Sequence, residues 1–268
     1  DSINCTVSEN GSVEVVAYKY AVDSASWSSS IDVSEPLVVS GLSDETHTIR
    51  IRGMSSEGYW QSEESATEYT WTVDTTPPRA ELEDVPYEVT NSTTTSITVC
   101  GSGVYAYKYV IDQSSPDWSG LTEYPASDSI SETLAEGYHT ITVIARDAAG
   151  NWQDGGDATT FSWTIDISTA LAEFITRTLP SNPTNSRSAD ISVGPPSLVS
   201  YRYKLDNGDW SGDYSIESHI ILSNILSNGE HTLRLVGKDL YGNIQSVDNA
   251  TVYTWEVDTD KPVCELQQ

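Results

Sequence analysis

His47–Gln61 reads HTIRIRGMSSEGYWQ, His139–Gln153 reads HTITVIARDAAGNWQ, and His231–Gln245 reads HTLRLVGKDLYGNIQ. The three stretches lie 92 residues apart both times. Self-similarity at a fixed period is the mark of a chain built from copies of one unit. Within each stretch alternate residues are apolar: Ile49 and Ile51, Ile141 and Val143, Leu233 and Leu235. A period of two describes a strand with one buried face. Each strand runs into a turn whose glycine (Gly58, Gly150 or Gly242) can supply a positive φ.

Working outward, YTWTVD from Tyr69, FSWTID from Phe161 and YTWEVD from Tyr253 follow at the same interval. Their inward rows are Tyr69, Trp71 and Val73, then Phe161, Trp163 and Ile165, then Tyr253, Trp255 and Val257. Upstream, YKYAVD from Tyr18, YKYVID from Tyr107 and YRYKLD from Tyr201 show the same alternation. A Trp-Ser pair follows each of them, at Trp27, Trp118 and Trp210. No stretch has convincing helical periodicity. Short alternating strands with regular turn signals predict an all-β chain of tandem β-sandwiches.

The Tyr-x-Tyr strand, the Trp-Ser pair, the His-Thr strand, the Asp-x-x-Gly-Asn turn and the closing Trp-x-Val-Asp resemble bacterial immunoglobulin-like and fibronectin type III-like surface-protein repeats. The resemblance implies three immunoglobulin-like domains at 1–74, 75–166 and 167–258, with 259–268 left over. Such repeats serve as stalks, adhesins, filaments and spacers alike, so the resemblance fixes architecture rather than function. Three departures stand out. Ser55 and Tyr59 replace the Asp and Asn found at Asp147 and Asn151 and at Asp239 and Asn243. The second repeat closes on WTIDISTA without a linker proline, and no repeat has the inter-sheet cysteine pair of antibody domains.

Composition narrows the function classes. Of 268 residues, 13 are basic and 40 acidic, a net charge of −27. Polyanions and anionic lipid surfaces would be repelled, which argues against a nucleic-acid partner. No run approaches the roughly 18 to 20 apolar residues of a membrane helix, so membrane insertion is not expected. The three cysteines suggest an oxidising, extracellular or cell-surface setting.

The opening strand of each repeat (strand A) contains Ala80-Glu81-Leu82 in the second copy and Ala172-Glu173-Phe174 in the third. Cys264-Glu265-Leu266 continues the series at the same interval. The first copy begins instead at the level of the next strand. Ile3 and Cys5 align with Ile97 and Val99, so the first domain is read as lacking its own strand A. The expectation is a subunit that polymerises head to tail by β-augmentation. Ile3 and Cys5 belong to the acceptor groove, Cys264 and Leu266 are the donor's anchors, and a Cys5–Cys264 disulfide locks the joint. The partner is then another copy of the same chain. The alternative is a stalk or adhesin segment of a longer surface protein with a ligand- or carbohydrate-binding role. No role is assigned to Cys100.

Sites for chemistry are scarce. One histidine per repeat (His47, His139 and His231), without Cys or a second His nearby in sequence, reads as a strand-edge residue rather than a metal ligand. Asp74, Asp166 and Asp258 close the repeats and are the calcium candidates. A calcium site needs six to eight oxygens, many more than these linkers supply, and a structural role is favoured. Asn4, Asn10, Asn91 and Asn249 begin N-x-S/T sequons. The sequence contains no phosphate loop, nucleophile elbow or His-Glu metal motif. Neither an enzyme activity nor a cofactor is expected, and a repeated unit is an unusual place to build a single active site.

Overall fold

The computed structural model describes residues 14–264 and the backbone of residues 2–5. Every regular element of any length in these residues is a strand, with four three-residue 3₁₀ turns between strands. Among the described residues no helix is long and apolar enough to cross a membrane. Contacts gather the chain into two compact units. One comprises Asp1–Glu83, Thr98–Ser129 and Ile141–Thr160, the other Asp84–Ile97, Ile130–Thr140 and Phe161–Gln268. The first sequence repeat lies in the former, the third in the latter, and the strands of the second divide between them.

In the first repeat the strands are β1 (Ser2–Cys5), β2 (Val15–Val22), β3 (Ile31–Asp32), β4 (Leu37–Ser40), β5 (Thr46–Ser55) and β6 (Thr67–Thr72). They form a four-stranded sheet in the order β3-β2-β5-β6, with β1 paired to β4 in a second one. The second repeat holds β7 (Glu81–Glu83), β8 (Val89–Thr90), β9 (Thr94–Cys100), β10 (Ala106–Ile111), β11 (Tyr124–Pro125), β12 (Ile130–Thr133), β13 (Gly137–Arg146) and β14 (Thr159–Ile165). Their orders are β11-β10-β13-β14-β8 and β12-β9-β7.

The third repeat holds β15 (Glu173–Phe174), β16 (Ala189–Ile191), β17 (Val193–Gly194), β18 (Leu198–Leu205), β19 (Tyr214–Ser215), β20 (Ile220–Leu222), β21 (Gly229–Asp239) and β22 (Thr251–Val257). The order β19-β18-β21-β22 repeats the four-stranded sheet. Strands β16 and β17 are one line interrupted at Ser192, flanked by β20 and β15, which repeats the three-stranded sheet. Mainly antiparallel strands divided between a sheet of four or five and a smaller one give the fibronectin type III-like sandwich.

The inward rows read from the sequence form the cores. In the third repeat Tyr201, Leu233, Leu235, Trp255 and Val257 are buried together with Ala172, Ile191 and Ile220. In the first, Tyr18, Leu37, Val39 and Ile49 are the buried cluster, and Trp71 is only packed against it. The tyrosine that opens each Tyr-x-Tyr strand spends its hydroxyl on a backbone carbonyl. Tyr18 donates to Glu35 O (3.2 Å), Tyr107 to Asp128 O (2.9 Å) and Tyr201 to Ser218 O (2.9 Å). Burial pushes the Tyr107 and Tyr201 hydroxyls up to about 12. Outside the core, Trp60 and Trp152 lie beneath cations: Lys19 and Arg52 over the first, Lys108 and Arg146 over the second.

Candidate strand-acceptor groove

Strand A packs alike in the second and third repeats. Strand β7 runs antiparallel to β9 with Leu82 opposite Val99, and β15 runs antiparallel to β17 with Phe174 opposite Val193. Ala80 and Ala172 are 1% and 0% exposed. Phe174 lies with its ring centroid 6.3 Å from that of Tyr253. A little further along, the chain pairs in parallel with the last strand, through Val89 and Thr90 on β14 and Thr184 on Val257.

In the first repeat no such cover lies over the equivalent positions among the described residues. Among the described residues β1 has one neighbour, β4, whereas β9 has two, β12 and β7. Trp163 and Trp255 are 1% and 0% exposed, while Trp71 at the same position is half-buried. Tyr69 is 59% exposed, where Phe161 and Tyr253 are half-buried. These two aromatic side chains are thus more open to solvent than their counterparts in the other copies.

The register corrects the sequence alignment. Leu37, Ile130 and Ile220 each lie two residues after the carbonyl that receives the tyrosine hydroxyl, so they are equivalent. Cys5 stands opposite Leu37, as Ile97 stands opposite Ile130 and Ile191 opposite Ile220. Cys5 is therefore level with Ile97, not Val99, and Ile3 is level with Thr95. The stretch equivalent to Thr98–Cys100, which receives β7, falls on residues 6–8, outside the described ones.

This shift bears on the expected disulfide. Extending the β7–β9 register places Ala80 opposite Gly101, four residues along from the level of Cys5. Four residues of strand span roughly 13 Å, whereas a disulfide needs Cα atoms within about 7 Å. A donor seated like β7 does not bring Cys264 to Cys5. Val263 and Cys264 are exposed, and Leu266 lies outside the described residues. Cys100 is half-buried, with its thiol directed to Glu81 O at 3.7 Å.

The linker aspartates are locally engaged. Asp74 accepts from Thr76 N (3.1 Å), Asp166 from Ser168 N (2.9 Å) and Asp258 from Asp260 N (2.9 Å), each through Oδ1. No group of three or more His, Cys, Asp or Glu able to hold a metal occurs among the described residues. The Gly-Asn turns have a second task that the sequence reading missed. Asp147 Oδ1 accepts from Gly150 N (2.7 Å) and Asn151 N (2.8 Å), fixing the turn. Asn151 Nδ2 then donates to Asp74 O (2.8 Å), and Asn243 Nδ2 to Asp166 O (2.9 Å) and Ser168 O (3.1 Å). The turn ties down the segment that enters its own repeat. Ser55 and Tyr59 leave the first repeat without that tie.

The repeated histidines are buried rather than marginal, at 3%, 8% and 7% exposure for His47, His139 and His231. His47 contacts Asp23 Oδ2 (2.8 Å) through Nδ1 and Ser43 O (2.9 Å) through Nε2. His231 repeats this with Asp206 and Ser227. Both ring nitrogens donate in such a pair, so the imidazolium is favoured and no lone pair faces a metal. The hydrogen bond to Asp23 raises the His47 pKa and correspondingly lowers that of Asp23. For His231 burial works the other way, but the bonds to Ser227 and Asp206 prevail and the pKa is raised. Asp23, Asp112 and Asp206 all take left-handed φ values of 52° to 57°, which Asp tolerates better than most residues. A signal was available: His and Asp recur together in every copy.

Of the sequons, Asn91 and Asn249 are exposed. Asn4 lies in β1, and Asn10 lies outside the described residues.

No family model and no curated protein matches the chain. Among solved structures it is similar to one concerned with host cell surface retention of a 1.5-MDa bacterial ice-binding adhesin, at 14% identity and TM-score 0.48, over 97% of this chain and 91% of that one. Fibronectin(III)-like modules of CbhA from Clostridium thermocellum match at 15% identity and TM-score 0.36, over 61% and 85%. The FN1–FN3 domains of chicken CNTN1 match at 13% and 0.32, over 95% and 94%. At these values the likeness says nothing about binding or assembly.

Proposed function

We propose that the chain is a structural, non-catalytic subunit of an extracellular filament or pilus-like fibre. Residues 259–268 of one copy fill the open groove of the first repeat in the next. The observation that carries this reading is the uncovered pair Tyr69 and Trp71, set against the buried Trp163 and Trp255. The occupant is argued from sequence: Cys264-Glu265-Leu266 continues the series Ala80-Glu81-Leu82 and Ala172-Glu173-Phe174. A strand that buries about 200 Å² of apolar surface gains about 5 kcal/mol by area, before the cost of ordering it. A head-to-tail contact of this kind builds a fibre when it joins successive copies without closing into a ring. A donor seated like β7 sets Cys264 away from Cys5, which supports a non-covalent joint.

Deletion of residues 259–268 tests this. Electron microscopy of the purified full chain is expected to show fibres, and the deleted chain is expected to be monomeric by light scattering. Fibres that persist after deletion would overturn the proposal. A full chain that stays monomeric at high concentration would favour the stalk reading instead.

A further inference from the structure

In the second and third repeats one glutamine and one threonine hold the backbone of strand A. Gln153 Oε1 accepts from Ala80 N (3.0 Å) and from Ala145 N (3.2 Å), while its Nε2 donates to Asp157 O (2.6 Å). Thr159 Oγ1 donates to Ala80 O (2.6 Å). Gln245 accepts from Ala172 N (2.9 Å) and Gly237 N (3.1 Å) and donates to Asn249 O (2.8 Å). Thr251 Oγ1 donates to Ala172 O. Both the N–H and the C=O of a single strand A residue are thus taken by side chains. Gln153 and Gln245 are 6% and 2% exposed.

Gln61 and Thr67 occupy these positions in the first repeat. Gln61 keeps the two bonds that belong to its own repeat, accepting from Gly53 N (3.2 Å) and donating to Ser65 O. Its pose is therefore already that of Gln153 and Gln245, with one acceptor site on Oε1 unused among the described residues. Thr67 is exposed, and no partner of its hydroxyl appears among the described residues.

We infer that Gln61 and Thr67 form a preset clamp for the main chain of an incoming strand, and that Cys264 of another copy is the residue held. Cys264 N–H is received by Gln61 Oε1, and Cys264 C=O receives the Thr67 hydroxyl. Because the clamp reads backbone, it places no demand of its own on the side chain of the residue held, which is Ala80 in the second repeat and Ala172 in the third. The inference rests on the occupant proposed above.

The test uses the full chain and a synthetic peptide of residues 258–268 as competitor of assembly, read by light scattering. The parent peptide is expected to inhibit assembly. A peptide N-methylated at Cys264 lacks the clamped N–H and is expected to inhibit about tenfold more weakly. On Gln61→Ala the two peptides should act alike. Thr67→Val should raise the concentration needed for assembly about fivefold, whereas Thr159→Val should lower thermal stability and leave assembly unchanged. Equal potency of the two peptides on the wild type, or wild-type assembly by Thr67→Val, would overturn the clamp and leave the occupant standing. Impairment of assembly by Thr159→Val as severe as by Thr67→Val would also overturn it. A parent peptide without effect would overturn occupant and clamp together.

Discussion

The first and third repeats place nearly the same residue types at the same positions, yet they bury different amounts of them. Trp255 and Trp71 stand at equivalent places, at equivalent distances from a histidine (5.9 Å from His231 and 5.8 Å from His47), and only Trp255 is sealed. The segment containing Ala172 and Phe174 covers the third repeat, and among the described residues no counterpart lies over the first. A sandwich core is therefore a property of strand plus cover, and a repeat can carry the pattern of a core while its cover comes from elsewhere.

The largest expected effect breaks the comparison at the tryptophans. Trp255→Ala should destabilise the third repeat by about 3 to 5 kcal/mol in urea unfolding, the usual cost of an emptied aromatic site. Trp71→Ala in the chain deleted of 259–268 should cost only about 1 to 2 kcal/mol, because its transfer from water is incomplete. Equal costs would mean that the first groove is already covered. Next is the clamp glutamine. Gln245→Ala leaves the buried amides of Ala172 and Gly237 without partners and should cost about 2 to 4 kcal/mol, against about 1 kcal/mol for Gln61→Ala.

A smaller difference concerns the linker tie. Asn243→Ala removes the bonds to Asp166 O and Ser168 O and should cost about 1 kcal/mol, with faster proteolysis near Ser168. Tyr59→Ala, at the same position in the first repeat, should change neither. The smallest effect is one of pH. His47 and His231 are raised, so their contribution is fully present below the ordinary imidazole value of 6.5 and fades as pH rises through the raised one. Asp23 is lowered, so its contribution is present above 3.8 and fades as pH falls through the lowered value. Melting temperature should therefore be highest between those limits, and Asp23→Asn should flatten the alkaline side of the profile.

Much of this architecture was legible because alternation survives in sequence. The Tyr-x-Tyr strand, the two central apolar rows and the glycine of the Gly-Asn turn (φ 88°, 104° and 94°) appear where the pattern put them. The fate of Tyr69 could not be read, since alternation marks which face points inward but not whether anything lies over it. The levels of Ile3 and Cys5 were misjudged by two residues. An alternating strand is consistent with any even shift, and the partner Leu37 that settles it lies across the sheet. The partner of the histidine went unread for a related reason: Asp23 is 24 residues from His47, and only the strand pairing brings them together. The glutamines were legible in part, since Gln61, Gln153 and Gln245 recur in register, but their hydrogen-bond partners are backbone groups that sequence does not mark.

The most direct test of the central claim is a titration of the full chain with the chain deleted of residues 259–268, followed by light scattering. The deleted chain retains the groove of the first repeat and lacks the donor, so it should terminate growing fibres. Mean particle mass is expected to fall steadily as the deleted fraction rises, reaching short oligomers at equal amounts. If the full chain forms fibres of unchanged mass while the deleted chain remains a separate monomer, the groove does not receive the strand and the account is wrong.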